Sequence, residues 1–174
     1  MALQQDGLVL RNAGPADAAI LADWWNDGAV MAHAGFPRGV GTTAEAVARS
    51  LAEDGDDTRR RLMLEYQGRP IGEMAYRLQD GNAAQIDIKI CLPDCQGHGL
   101  GRRALCMLIR ALWKRGIDAV VLDTTPENRR ARHVYESLGF KQVRINENSW
   151  TDQLGNLRSS VDYRLTPETF HDLW

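Results

Sequence analysis

No apolar run in this 174-residue chain approaches the ~20 residues needed to cross a bilayer. The opening segment has no basic stretch and carries Asp6 ahead of any apolar one, so no signal peptide is expected and the cytoplasm is the expected compartment. Cysteine is scarce as well. Cys91, Cys95 and Cys106 are an odd number, which fits a reducing compartment better than a disulfide framework. Cys91 and Cys95 have no second Cys or His pair at finger spacing, so no metal site is expected. Charge of one sign is also lacking. With 21 basic against 23 acidic residues the net charge is −2, without the basic excess that nucleic acid or an anionic membrane selects. Repeats and low-complexity linkers are absent. What remains is an ordinary globular composition, 44% hydrophobic and 25% charged, and it reads as one compact domain over residues 1–174.

Helical and strand patterns alternate along the chain. Leu8 to Arg11 reads as a strand, and Pro15 opens a helix whose Ile20, Leu21, Trp24 and Trp25 recur at helical spacing. Thr42-x-x-Glu45 matches a capping box and predicts a second helix to about Glu53. The stretches 61–67 and 71–78, joined by Gly68-Arg69-Pro70, read as a hairpin, followed by a strand over 84–92 with Ile86, Ile88 and Ile90 on one face and Asp87 and Lys89 on the other. A helix follows to about Arg115, then a short strand over 120–123, a helix over 128–138, and strands over 140–145 and 161–165 with Gly155-Asn156 as a turn. The class is mixed α/β, with helices on both faces of the sheet.

The strongest local feature is Gln96-Gly97-His98-Gly99-Leu100-Gly101-Arg102, where a strand ends, glycines alternate with other residues and a helix begins. Backbone N–H groups approach an anion closely where there is no Cβ, and a helix N-terminus adds orphan donors and about half a positive charge. Neither familiar nucleotide motif fits. No Lys-Ser or Lys-Thr follows the glycines, and their spacing is not Gly-x-Gly-x-x-Gly. Gln96-x-x-Gly99-x-Gly101 instead resembles the GNAT superfamily of acetyl-CoA-dependent N-acetyltransferases. A second stretch, Asn128-x-x-Ala131-x-x-x-Tyr135-x-x-x-Gly139-Phe140, resembles that family's later motif. The resemblance implies a GNAT fold, a central mixed, mostly antiparallel sheet of about six to seven strands with about four flanking helices.

It also implies the chemistry. Acetyl transfer needs an unprotonated amine, a polarised carbonyl and a neutralised thiolate. Tyr135, a phenol of ordinary pKa ~10, is expected to protonate the departing thiolate. Asp87 is placed like the carboxylate of aminoglycoside 6′-acetyltransferases and is the expected base, with Glu73 on the neighbouring strand to position the amine or relay its proton. Ile90, Cys91 and Leu92 are expected to hold the pantetheine and polarise the carbonyl through their N–H groups. Gln96, Gly97, His98, Gly99, Leu100, Gly101 and Arg102 would hold the pyrophosphate, with Asn128 and Arg132 as further cofactor contacts. His98 and His133 read as solvent or phosphate contacts. Acetyl-CoA is thus the expected co-substrate. The acceptor is a primary amine, either on a cationic small molecule or at a protein N-terminus as in ribosomal-protein alanine acetyltransferases, and a CoA-binding sensor without turnover is the other reading. Homodimers are common in the superfamily.

Charge location supports a division. Residues 96–132 carry net +5, and residues 15–57 carry net −6, which predicts that the latter half attracts a cationic amine.

Overall fold

A computed structural model describes residues 1–174. Eight strands form one sheet in the order β1-β2-β3-β4-β5-β6-β8-β7, antiparallel throughout except for the β5–β6 pair. They are β1 (Ala2–Gln5), β2 (Leu8–Asn12), β3 (Arg59–Tyr66), β4 (Arg69–Gln79), β5 (Ala83–Ile90), β6 (Ala119–Thr124), β7 (Lys141–Thr151) and β8 (Leu157–Leu165). Five α-helices accompany them: α1 (Ala18–Asn26), α2 (Gly28–Met31), α3 (Ala44–Leu51), α4 (Leu100–Lys114) and α5 (Arg129–Ser137).

Three differences from the sequence reading stand out, the first two with local causes. The extra strand β1 pairs with β2 through Asp6-Gly7, both at positive φ (47° and 77°), the backbone that a tight two-residue hairpin demands and that Asp-Gly accepts. The second helix is capped by Thr43, not Thr42. Thr43 Oγ1 accepts from the Ala46 N–H at 3.2 Å, so α3 starts one residue later. The last hairpin is also longer than its apolar part predicts, because β7 runs on through the polar stretch 146–151 as a two-stranded ribbon with β8.

Alternation along the strands divides the interior in two. Leu62 and Leu64 of β3 face α4 and α5 and join a core of 26 buried residues. Met63, between them, faces the opposite side and packs with Leu21 and Trp24 of α1 and Val47 and Leu51 of α3 in a cluster of nine. The sheet is therefore covered on both faces.

The parallel pair decides where a ligand can enter. β5 and β6 are in register only at Ala83–Ala119, Ala84–Val120 and Gln85–Val121. Beyond Gln85 the two strands part, and the sheet opens in the middle. No neighbouring strand serves the main chain of residues 88–90 on that side.

Candidate active site

The split opens into a cleft of about 1220 Å³, lined on one side by the end of β5 and the start of α4 and on the other by β6 and α5. Its chemistry follows from strand register. The Cys91 N–H donates to the Ile71 carbonyl at 2.8 Å, so residues 71 and 91 form a hydrogen-bonded pair and Gly72–Ile90 and Met74–Ile88 do not. The N–H and C=O groups of Ile88 and Ile90 consequently point away from β4, into the split. Gln96 Nε2 reaches the Ile90 carbonyl at 2.9 Å, as this orientation requires. Of the three residues expected to polarise a carbonyl, Ile90 presents its N–H to the cleft. Cys91 and Leu92 do not, because both donate to Ile71 O, the second at 3.3 Å. Cys91 packs in the smaller core, where burial and then Glu73 push its thiol up to about 12, so it holds no thiolate for nucleophilic attack.

The anion end lies at the start of α4. Gly99 caps this 15-residue helix in the left-handed conformation (φ 75°), and no side chain caps the first N–H groups. Gln96, Gly97, Gly99, Leu100, Gly101 and Arg102 all line the cleft, and a Cβ on Gly101 would meet Ile88 Cδ1 and Ile90 Cγ1 at 3.8 Å. His98 is not among the lining residues. The arrangement fits a phosphate chain lying against uncapped N–H groups. Across from it, Asn128 caps α5, its Oδ1 accepting from the Ala131 N–H at 3.2 Å, and also lines the cleft.

Arg132, an expected cofactor contact, points elsewhere. Its Nε donates to the Tyr163 hydroxyl at 3.0 Å, its other nitrogens go to Pro126 O and Gln142 Oε1, and it does not line the cleft. Its neighbour Arg130 does, with Nη1 on Gln96 Oε1 at 3.2 Å. Two residues along a helix turn the side chain by about 200°, which puts Arg130 and Arg132 on nearly opposite faces.

Tyr135 is 7% exposed and lines the cleft. Burial first, then the charges of Asp87, Asp123 and Tyr163, push its phenol well above the ordinary range, so it stays protonated. Asp87 faces the cleft from β5 and forms no ion pair. Glu73 is otherwise placed. It is 6% exposed on β4, and its Oε1 accepts from Trp25 Nε1 at 2.8 Å and Lys89 Nζ at 3.1 Å, so it is already engaged and lines a side chamber instead.

Sequence reasoning missed Asp123. It stands on β6 opposite Asp162 of β8 and lines the cleft. Its surface is open to the cleft, yet protein atoms crowd it. That desolvation, then the charges of Asp87 and Asp162, raise its pKa, against one weak bond from Gln85 Nε2 at 3.4 Å. The signal available in the sequence was its place at the end of a short buried strand, five residues before Asn128. On the same side Ala29, Val30, His33 and Ala34 of the α2 segment complete the wall with Trp150 of β7, and His133 lines the cleft from α5. No group of three or more His, Cys, Asp or Glu side chains is gathered as metal ligands.

The negative charge of residues 15–57 is partly compensated. Asp17 pairs with Arg11, Asp54 with Arg59 and Arg61, Asp56 with Arg60 and Asp57 with Arg115, all cations outside that window, whereas Asp23, Asp27, Glu45 and Glu53 form no salt bridge. The carboxylates that line the cleft itself are Asp87 and Asp123.

A family profile described as "Acetyltransferase (GNAT) domain" matches residues 7–141. The chain belongs to the GNAT acetyltransferase family. Among curated relatives, the mycothiol acetyltransferase of Thermomonospora curvata is 31% identical over 114 residues, covering 66% of this chain and 38% of that protein. The [ribosomal protein bS18]-alanine N-acetyltransferase of Escherichia coli K12 is 45% identical over 56 residues, 32% of this chain and 38% of that protein. The matched segments thus span less than two fifths of these relatives' lengths. Among solved structures, a ribosomal L7/L12 α-N-protein acetyltransferase in complex with coenzyme A superposes with a TM-score of 0.84 at 16% identity, covering 95% of this chain and 98% of that one. The spermidine N-acetyltransferase of Vibrio cholerae in complex with CoA and spermine gives 0.82 at 19% identity, with the same coverage. These two likenesses establish the GNAT fold.

Proposed function

We propose that residues 1–174 act as a single acetyltransferase unit that moves the acetyl group of acetyl-CoA to a primary amine by direct attack in a ternary complex. The observation that carries this reading is the split itself. It brings an uncapped helix N-terminus with Arg102 and Arg130 into one cleft with Asp87, Asp123 and a protonated phenol. An anionic cofactor suits the first group and a cationic amine the second.

The residues divide the work. Asp123, whose raised pKa makes it the better proton acceptor, takes a proton from the incoming ammonium, and Asp87 holds the cation beside it. The free amine attacks the thioester carbon while the Ile88 and Ile90 N–H groups face the developing oxyanion. The carbon–sulfur bond then breaks, Tyr135 gives its proton to the thiolate, and the proton that the nitrogen sheds on becoming an amide restores the phenol. Gln96 braces the loop by tying Ile90 O to Arg130.

A protein N-terminus as acceptor is favoured by the 45% identity over 56 residues to the bS18-alanine enzyme. The free carboxylates of the cleft favour a cationic small molecule equally well. A cytoplasmic location without nucleic-acid or membrane partners goes with this reading. The test is thiol release from acetyl-CoA across aminoglycosides, polyamines and short peptides with free N-termini. Turnover with one class is expected. Thermal stabilisation by acetyl-CoA without thiol release from any amine would replace the enzyme by a CoA sensor.

A further inference from the structure

Beside the main cleft, on the α1–α3 face of the sheet, lies a second chamber of about 160 Å³. Trp25 and Met31 form its helical wall, and Glu73, Ala75, Asp87 and Lys89 form its floor. Asp87, Ile88 and Lys89 line both spaces, so the chamber opens off the acceptor side of the cleft at the residue that faces the amine. Register explains the shared face: Glu73 lies opposite Lys89 and Ala75 opposite Asp87, so all four side chains project to one side of the sheet.

The wall carries unspent negative charge. Glu73 uses only Oε1, which takes both Trp25 Nε1 and Lys89 Nζ, and no donor of the chain reaches its Oε2. Asp87 has no cationic partner. Lys89 is committed to Glu73, and Arg61, which also borders the chamber, is bonded to both oxygens of Asp54, an acid that it shares with Arg59. Of the two carboxylates of the floor, Asp87 is the one left without an ion pair. Glu73 Oε2 keeps solvent access without a donor from the chain, and a protonated amino group is a fitting charge-assisted partner for it.

On the reading that the cleft acetylates an amine, we propose that this chamber is a second acceptor subsite, which takes a further protonated amino group of the same molecule between Glu73 Oε2 and Asp87. The acceptor class is then a flexible di- or polyamine, with one amino group at Asp123 and another in the chamber. Its volume is close to that of a cavity that holds benzene, so it has room for an aliphatic amine arm of several heavy atoms.

Binding and turnover are measured separately, so the subsite and the acetylation reading fail separately. Calorimetry without acetyl-CoA compares α,ω-diaminoalkanes of increasing length with the alkylamines of matching length. One diamine length is expected to bind about tenfold or more tightly than its monoamine, the gain of a charge-assisted hydrogen bond. Ala75→Leu, which fills the chamber beside Asp87, should bring the ratio to about one, whereas Ala75→Ser should keep it. Equal binding of diamine and monoamine by the wild-type protein overturns the subsite, whatever is found for turnover. A preference that survives a folded Ala75→Leu protein overturns it too. Tight diamine binding with no CoA release from that diamine would leave the subsite standing and remove the acetylation reading instead.

Discussion

Two sets of carboxylates in this protein have opposite fates. Asp17, Asp54, Asp56 and Asp57 are spent on arginines: Asp54 has a fully buried side chain that accepts from Arg59 and Arg61, and Asp17 takes two nitrogens of Arg11. Those of the cleft, Asp87 and Asp123, stand on parted strands with no cation near enough to pair. The difference shows in their proton affinities. Burial opposes ionisation of Asp54, but the side-chain and backbone hydrogen bonds of Arg61 outweigh it and hold the carboxyl below its usual range. Asp123 is desolvated without such compensation and is raised. The first set serves the fold, and the second is available for protons.

Removing Asp123 should break the comparison most sharply. Asp123→Asn is expected to lower kcat by about 10³-fold, within the range for loss of a general base, with acetyl-CoA affinity retained in a binding titration. The same substitution should raise Tm. A carboxylate whose folded pKa is raised destabilises the fold once pH exceeds its unfolded pKa, and the amide removes that cost. The pH profile gives a second reading. The acid limb of kcat/KM should lie above the ordinary carboxylate range, and Asp87→Asn should move it to lower pH, because the Asp87 charge is one cause of the raised value. An unmoved limb would count against the coupling of the two acids.

Asp54→Asn should do the converse. Leaving Arg61 and Arg59 without their buried partner is expected to cost about 3 kcal/mol of stability, read by chemical denaturation, with no change in the pH profile of kcat/KM. Because the folded pKa of Asp54 is lowered, its contribution is present above the unfolded pKa and is lost as pH falls through the folded one. Wild type and Asp54→Asn should therefore converge in acid. Next in size comes Tyr135→Phe, which should slow turnover by about 100-fold while leaving acetyl-CoA binding nearly intact.

The sequence showed the alternation that builds the sheet and the glycines that start α4, since both are local: period-two apolar patterning and positive φ are written in neighbouring residues. It did not show which acids are free. Half of the eight acids in residues 15–57 are bonded by Arg11, Arg59, Arg60, Arg61 and Arg115; three of these arginines stand just past the window, and Arg11 and Arg115 are brought in by the fold. The choice of Arg130 over Arg132 has a similar origin. Tyr163 of β8 and Gln142 of β7 draw Arg132 away, through contacts that depend on the order β6-β8-β7. Asp123 was legible as a residue but not as a site, because its pKa is raised by desolvation in the fold and then by Asp87 and Asp162 across two different strand boundaries, one open and one paired.

The smallest expected effect tests whether every acid of the first set matters to the fold. Asp56 pairs with Arg60 at 2.7 Å, and the Arg60 hydrogen bond, set against slight desolvation, lowers its pKa, yet its side chain is 54% exposed. Water and salt screen such a pair, and holding two mobile side chains together costs entropy. Asp56→Asn should therefore change stability by about 0.2–1 kcal/mol, and less as salt is raised, with kcat unchanged. A loss approaching that of Asp54→Asn would show the 54–61 arginine cluster acting as one network and not as one buried anchor with an ornamental neighbour, and a double-mutant cycle between positions 54 and 56 would measure that coupling directly.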